Sequence, residues 1–329
     1  MSPPATTAAL TLSLTGLYER QGVDAAEGVR LWAEDAGIRL ILVDDHGKRD
    51  AAVKAYAAWT ADADGVDLLL GPYSSGLVRA VAPLVSESGA LLWNHGGSAD
   101  DLARPGVVSL LAPASSYFDG IVDAVVARHL PRLVIVQGAG PFACAVAEGA
   151  AARATTNGLA GQVVNDAELD GLDAEGAGVL AAGRFEHDVA VVRRLHERGQ
   201  SPPLLATVAA GISAFGRELG ELAEGVLGPA QWWPSEQTPE IGPSGVDFAT
   251  RYRQRTGREP SYPAAQAAAA GYLAHAAHER ELAATDVMQW STSTLLGAFA
   301  LDAGWRQVGH QMKVVRWQGG RMVPLDQAG

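Results

Sequence analysis

Four short apolar runs in the first hundred residues each stop at a polar loop and lead toward a helical stretch, and this alternation restricts the fold more than any other feature. Residues 10–14 read as a strand that opens through Thr15-Gly16 and Gly22 into a helix over 23–36. Residues 38–43 form a second strand, ending at Asp44-Asp45-His46-Gly47 before a helix over 50–63. The third run, 66–70, is short and evenly apolar, which fits a buried strand; Gly71-Pro72 stops it and a helix over 77–88 follows. A fourth strand, 90–93, runs into Asn94-His95-Gly96-Gly97-Ser98. Strand, helix, strand, helix implies a parallel sheet covered on both faces. Such sheets bind ligands beyond the C-terminal ends of their strands, where all these loops lie.

A second series starts after a break at Pro113: a helix over 118–129, a strand at 133–137, a helix over 142–156 and a strand at 162–165. Beyond that the period is ambiguous. Residues 174–181 read as a helix with a strand near 189–192, or as a strand at 179–182 followed by a helix over 188–198, and the second version is preferred. A strand at 204–208, a linker around Trp232-Trp233-Pro234, helices over 245–256 and 262–283, and a strand at 311–317 complete the chain. At 329 residues it is expected to form two domains, given about 150 residues per domain.

The formal charge of −12, with arginines scattered among acids, argues against binding nucleic acid or anionic lipid, and no apolar run approaches the 20 residues of a membrane span. Cys144 is the single cysteine, so neither an internal disulfide nor a cysteine-rich zinc site is possible; it reads as a buried structural thiol. The first nine residues lack the basic and apolar segments of an export signal. The expected location is outside the cytoplasm if a signal has been removed, and cytoplasmic if Met1 is the native start.

Several motifs in this order carry a resemblance: Leu14-Thr15-Gly16 with Gly22, Asp44-Asp45, Gly71-Pro72-Tyr73-Ser74-Ser75, Phe248 and Tyr252 ahead of Gly257 and Pro260-Ser261-Tyr262, Gly297-Ala298-Phe299 with Asp302 and Gly304, and Gly309-His310-Gln311 onward to Pro324. Together they resemble the type I periplasmic substrate-binding proteins of ABC importers, of the branched-chain amino acid kind. The resemblance covers nearly the whole chain. It implies an α/β fold of two Rossmann-like lobes with parallel-rich sheets, joined by three crossovers and closing like a hinge on a small ligand. Lobe one is then expected at 1–115 and 236–301, and lobe two at 116–235 and 302–329. It further implies no enzymatic activity, no cofactor, a small-molecule ligand and an ABC permease as partner. One departure is the loop between the first helix and second strand, shortened here to Ala36-Gly37.

Site candidates follow from both the residues and the resemblance. Ser74 and Ser75 start a helix, where unpaired N–H groups and the helix dipole favour an anion; Ser75 either binds such a ligand or caps its own helix. The resemblance puts an amino acid's carboxylate at Ser75 and the Gly96-Gly97-Ser98 turn. His95 either touches ligand or bonds to backbone. Tyr18 and Tyr117, with Tyr117 preferred, are aromatics expected to stack on a ligand or cover its ammonium. On lobe two the candidates are Phe142, Phe185, Glu186, which is either the ammonium partner or an exposed acid capping its helix, and Gly211 as a small residue leaving room for ligand.

Two other readings compete. Gly138-Ala139-Gly140 between a strand and a helix, with Asp166 further on, imitates a dinucleotide fingerprint and an NAD(P)-dependent enzyme, although Pro141 removes an N–H from that loop. A cytoplasmic amide sensor of the same fold would equally suit an N-terminus without a signal. His275, His278 and Glu279 match neither order of the zinc-protease motif and read as a solvated helix face.

Overall fold

The computed structural model describes residues 6–61, 65–171 and 173–325. By its internal contacts the chain forms two compact units, passing between them after Ala112, Gln231 and Gln311.

Unit 1 begins with β1 (Thr7–Leu12), α1 (Glu19–Ala36), β2 (Arg39–Asp44), α2 (Arg49–Ala61), β3 (Leu68–Leu70), α3 (Ser75–Glu87), β4 (Leu92–Asn94) and β5 (Val107–Ser109). Its five strands are all parallel, in the order β2-β1-β3-β4-β5. Alternate residues feed two cores. Leu10, Leu12, Leu68, Leu70, Trp93 and Val108 face one side with Val29 and Trp32 of α1, while Ala9, Leu69, Leu92 and Val107 face the other with Val78, Val81 and Val85 of α3. This two-sided burial is why these strands read as continuous apolar runs.

Unit 2 contains α4 (Asp119–Ala127), β6 (Arg132–Gln137), α5 (Pro141–Thr156), β7 (Ala160–Asn165), β8 (Ala177–Ala182), α6 (Phe185–Glu197), β9 (Leu204–Thr207), α7 (Ser213–Leu219) and β10 (Leu227–Ala230). The chain then returns to unit 1 with α8 (Gly245–Thr256), α9 (Tyr262–Glu279), α10 (Ala284–Gln289) and the hairpin β11 (Thr292–Thr294) and β12 (Gly297–Phe299). It ends in unit 2 with β13 (Lys313–Gln318) and β14 (Arg321–Pro324), an antiparallel hairpin whose β13 lies beside β10. The unit 2 sheet runs β14-β13-β10-β9-β8-β6-β7, so its parallel part repeats the strand order of unit 1. Leu133, Ile135, Leu180 and Ala182 pack toward α4 and α5; Val134, Val136, Val179 and Ala181 pack toward α6.

The structure settles the ambiguous stretch in favour of the preferred version, with strand β8 and helix α6. Residues 302–311, expected with the second lobe, fold with unit 1. Gln307 explains this: its Oε1 accepts the N–H groups of Ala300, Gly309 and His310, and its Nε2 donates to the Leu110 carbonyl at 3.3 Å. Among the described residues no helix is long and apolar enough to cross a membrane.

Candidate functional site

In unit 1 the neighbours β1 and β3 lead to helices on opposite faces of the sheet, α1 on one and α3 on the other, which opens a crevice at their C-terminal ends. Tyr18 precedes α1 and Tyr73 precedes α3; their rings meet edge to face with centroids 5.7 Å apart, and both are half-buried. The Tyr73 hydroxyl pairs with that of Tyr262 at 2.9 Å. Tyr73 and Tyr262 stand inside motifs of the sequence without having been selected as candidates. No spacing in the sequence signals that a tyrosine 189 positions away completes this aromatic cluster.

Ser74 is the N-cap of α3, its extended backbone turning the chain into the helix. The N–H groups of Leu77 and Val78 donate to the Ser74 carbonyl, leaving those of Ser75 and Gly76 ahead of the helical ladder. A carboxylate is favoured there by these donors and by the helix dipole. Ser75 does not cap its own helix. Its Oγ accepts the Ala99 N–H at 3.2 Å, which joins the loop after β4 to α3 and leaves the hydroxyl proton to donate.

The loop after β4 corrects one expectation. The Gly96 and Gly97 N–H groups donate to Asn94 Oδ1 at 3.1 and 2.8 Å, so both are used inside the turn and not held out for a ligand. Asn94 is fully buried, and its Nδ2 donates to the Gly97 carbonyl and to Ser109 Oγ at 2.7 and 2.8 Å. The glycines are there for close approach: a Cβ on Gly96 would lie 2.5 Å from the Pro72 carbonyl oxygen, and one on Gly97 would lie 3.0 Å from Ser75 Cα. Ser98 alone of this turn remains half-exposed. His95 lies buried inside this loop. It is 0% exposed, and neither ring nitrogen reaches a hydrogen-bond partner among the described residues. Burial pushes its pKa down to about 4, with the nearby backbone, Gly71 included, offsetting only part of the effect.

Two aspartates fix the first loop. Buried Asp45 accepts from Thr11, Ser13 and the Gly47 N–H at 2.7–2.9 Å. Asp44 accepts from the Leu14 and His46 N–H groups and from Thr15; burial opposes its charge, but these bonds win and hold the carboxyl below the usual range.

In unit 2 the corresponding crevice lies between β6 and β8. Phe142 is the second residue of α5 and half-exposed, and Phe185 and Glu186 open α6, with Glu186 exposed. Tyr117 is not an open aromatic: it is 5% exposed, lies in the core with Phe142 edge-on at 5.3 Å, and its hydroxyl donates to Gln231 at 3.1 Å. Gly211 leaves no room either, because a Cβ there would fall 2.0 Å from the Pro229 carbonyl oxygen. Cys144 is only half-buried, and its Sγ donates to Glu148 at 3.1 Å. His187 was missed altogether. It lies against the ends of β6 and β8, where a Cβ on Gly183 would fall 2.1 Å from its Nδ1.

The fingerprint-like loop offers little to a pyrophosphate. The Gly138 N–H already donates to the Ala182 carbonyl, and Pro141 begins α5. His275 and Glu279 stand 3.6 Å apart, and among the described residues no cluster of histidine, cysteine and carboxylate groups is arranged to hold a metal. A groove of about 570 Å³ in unit 2, lined by Leu195, His196, Pro202 and Leu222 among others, lies toward the N-terminal ends of β9 and β10, opposite the edge that binds ligands in such sheets.

The family model described as periplasmic binding protein matches residues 6–321. No curated protein matches the chain. Among solved structures, a putative branched-chain amino acid ABC transporter from Silicibacter pomeroyi is similar with a TM-score of 0.83 and 14% identity, over 98% of this chain and 96% of that one. An ABC transporter substrate-binding protein from Desulfitobacterium hafniense, in complex with Leu, gives 0.80 and 15%, over 98% and 100%. An ABC transporter solute binding protein from R. palustris, in complex with benzoate, gives 0.71 and 17%, over 98% and 95%. At these identities the structures establish the fold, and the family match over nearly the whole length establishes the rest: the chain belongs to the periplasmic binding proteins, in their type I form.

Proposed function

We propose that this protein is a non-enzymatic receptor that takes an amino acid or amino-acid-like carboxylate outside the cytoplasm and hands it to an ABC permease. The observation that carries this reading is the start of α3. Two N–H groups precede its hydrogen-bond ladder, the Ser75 hydroxyl proton is available, and the half-buried Tyr18 and Tyr73 stand beside them at the sheet's crevice. Such donors hold a carboxylate without a full positive charge, and tyrosine faces accept either an ammonium or an apolar side chain. In this proposal Glu186 meets the ammonium, Phe142 and Phe185 supply apolar contact, and the two units close on the ligand as a hinge. The family supports a receptor, and the similar proteins solved with Leu and with benzoate support a small carboxylate as its ligand.

A thermal-shift screen over amino acids, their amides and small aromatic acids tests the reading. A ligand at 100 times its dissociation constant stabilises by about 2.7 kcal/mol, well within detection. The expected result is stabilisation by a carboxylate that its amide does not reproduce. If no carboxylate raises the melting temperature while NAD or NADP does, the receptor reading fails.

A further inference from the structure

His187 sits between two carboxylates from different elements. Its Nδ1 lies 3.0 Å from Oδ1 of Asp188, the neighbouring residue in α6, and its Nε2 lies 3.0 Å from Oδ1 of Asp166, just past the end of β7. The Asp188 contact is a hydrogen bond; the Asp166 contact is an ion pair whose angle falls outside hydrogen bonding. Asp188 is fully buried, and its Oδ2 accepts the Ala209 N–H at 2.8 Å, in the loop after β9. The imidazole also fills the space over Gly138 and Gly183, at the ends of β6 and β8. One side chain thus touches or ties the loops that follow β6, β7, β8 and, through Asp188, β9.

We propose that His187 is a proton-operated clasp: in its charged form it links Asp166 to Asp188 and holds the C-terminal loops of the unit 2 sheet in one arrangement. A charged imidazole keeps an N–H on Nδ1 for Asp188 and carries the positive charge, centred partly on Nε2, that pairs with Asp166; a neutral one keeps a single N–H and no charge. Asp188 is buried and keeps that donor, so loss of the proton releases Asp166, whose side chain is 60% exposed and has water as an alternative. The groups facing the ring define the titration. From β6 and β8 these are Gly138 and Gly183, which carry no charge; from the end of β7 it is Asp166, and from α6 it is Asp188. Arg194 of α6 donates to the Asp166 carbonyl at 3.1 Å, and Arg184 and Glu186 at the start of α6 are exposed. The hydrogen bond to Asp188 and the two negative charges hold His187 above the ordinary histidine range against the effect of burial, while burial pushes Asp188 up to about 6. The clasp is therefore complete between Asp188's ionisation and His187's deprotonation, and it opens on either side of that window.

An effect of the clasp on ligand affinity rests on the receptor reading. The test uses ligand-free protein, so the clasp stands or falls whether or not any ligand is found. Ring and amide resonances are followed by NMR through the pH range in wild type, Asp166→Asn and His187→Gln. The expected result is a His187 midpoint above that of a free histidine, lowered by about 0.5 unit or more in Asp166→Asn, where one of the two charges is gone. The amides of Gly138, Gly183 and Ala209 move with that midpoint in wild type and lose the transition in His187→Gln. Asp166 is at the surface, so its replacement leaves the fold intact. A midpoint unchanged by Asp166→Asn, or loop amides that titrate in His187→Gln as they do in wild type, overturns the proposal.

Discussion

Replacing Asn94 by alanine removes a carboxamide that makes four buried hydrogen bonds, two donated and two accepted. The Gly96 and Gly97 N–H groups lose their shared acceptor in a turn too tight for the backbone to turn elsewhere, since Gly96 already abuts the Pro72 carbonyl. Each buried donor left without a partner costs about 1–3 kcal/mol, whereas Ser109 Oγ only accepts from Asn94 and keeps its own hydroxyl proton free to donate, so its loss costs less. The expected loss is about 3–5 kcal/mol, a large share of the ~5–15 kcal/mol typical of a domain. Urea unfolding followed by circular dichroism measures it, fitted with two transitions if the units unfold separately. Asn94→Asp keeps the acceptor; ionised, it loses both donated bonds, and at low pH, where the neutral carboxyl regains one O–H donor, it is expected to fall between wild type and Asn94→Ala. A loss below about 1 kcal/mol for Asn94→Ala would show that water or a backbone shift satisfies the two amides, and the reasoning from burial would be refuted.

Ser75→Ala removes the acceptor of the Ala99 N–H, for a stability loss of about 1 kcal/mol, and should weaken a carboxylate ligand by a further 1–3 kcal/mol in calorimetry if the hydroxyl also meets the ligand. His95 titrates lower in the folded protein than when unfolded, so the unfolded state binds the extra proton and stability falls as the pH drops from about 6.5 toward about 4. The loss is at most about 3 kcal/mol, and His95→Leu should flatten this part of a stability–pH curve. Gly211→Ala should destabilise by about 1–3 kcal/mol, because its Cβ collides with the β10 backbone; unchanged stability would restore the idea of open space there. Glu186→Gln should leave stability within about 0.5 kcal/mol and reduce affinity only for ligands with an ammonium group.

The sheet alternation was readable because buried parallel strands announce themselves as short, evenly apolar runs ending at Gly, Pro and Asp. The exception is instructive. In β8, Ala-Gly-Val-Leu-Ala-Ala is buried at every position, and its alanines favour helix by propensity although the sheet's interior decides the outcome. Missing altogether from the sequence reading were α7, β10, α10 and β14, short elements whose small and mixed residues give no clear period. The helix start at Ser74-Ser75 was readable from local chemistry. The Gly96-Gly97 donors were misjudged, although Asn94, two and three residues earlier, is the residue type that takes such N–H groups for itself. Tyr117 failed for a different reason: nothing in its neighbourhood in the chain reveals that Phe142 covers it. The His187 cluster was just as hidden, since Asp166 and His187 meet only through the pairing of strands.

Neither unit is a continuous piece of chain, and this governs how the protein emerges from the ribosome. Trp32 of α1 is made early, but Gly271 of α9, against which its indole packs, follows only after roughly 240 more residues, on the order of 10–50 s of synthesis. Until then that face of the first sheet is covered by α1 alone. Unit 2 likewise waits for β13 to pair with β10, and that strand lies within the last twenty residues of the chain. A nascent chain of this design carries one sheet with a half-covered apolar face and a second with an unpaired edge at β10, so holding factors at the exit tunnel should matter more for its yield than for a protein whose domains are completed one after the other.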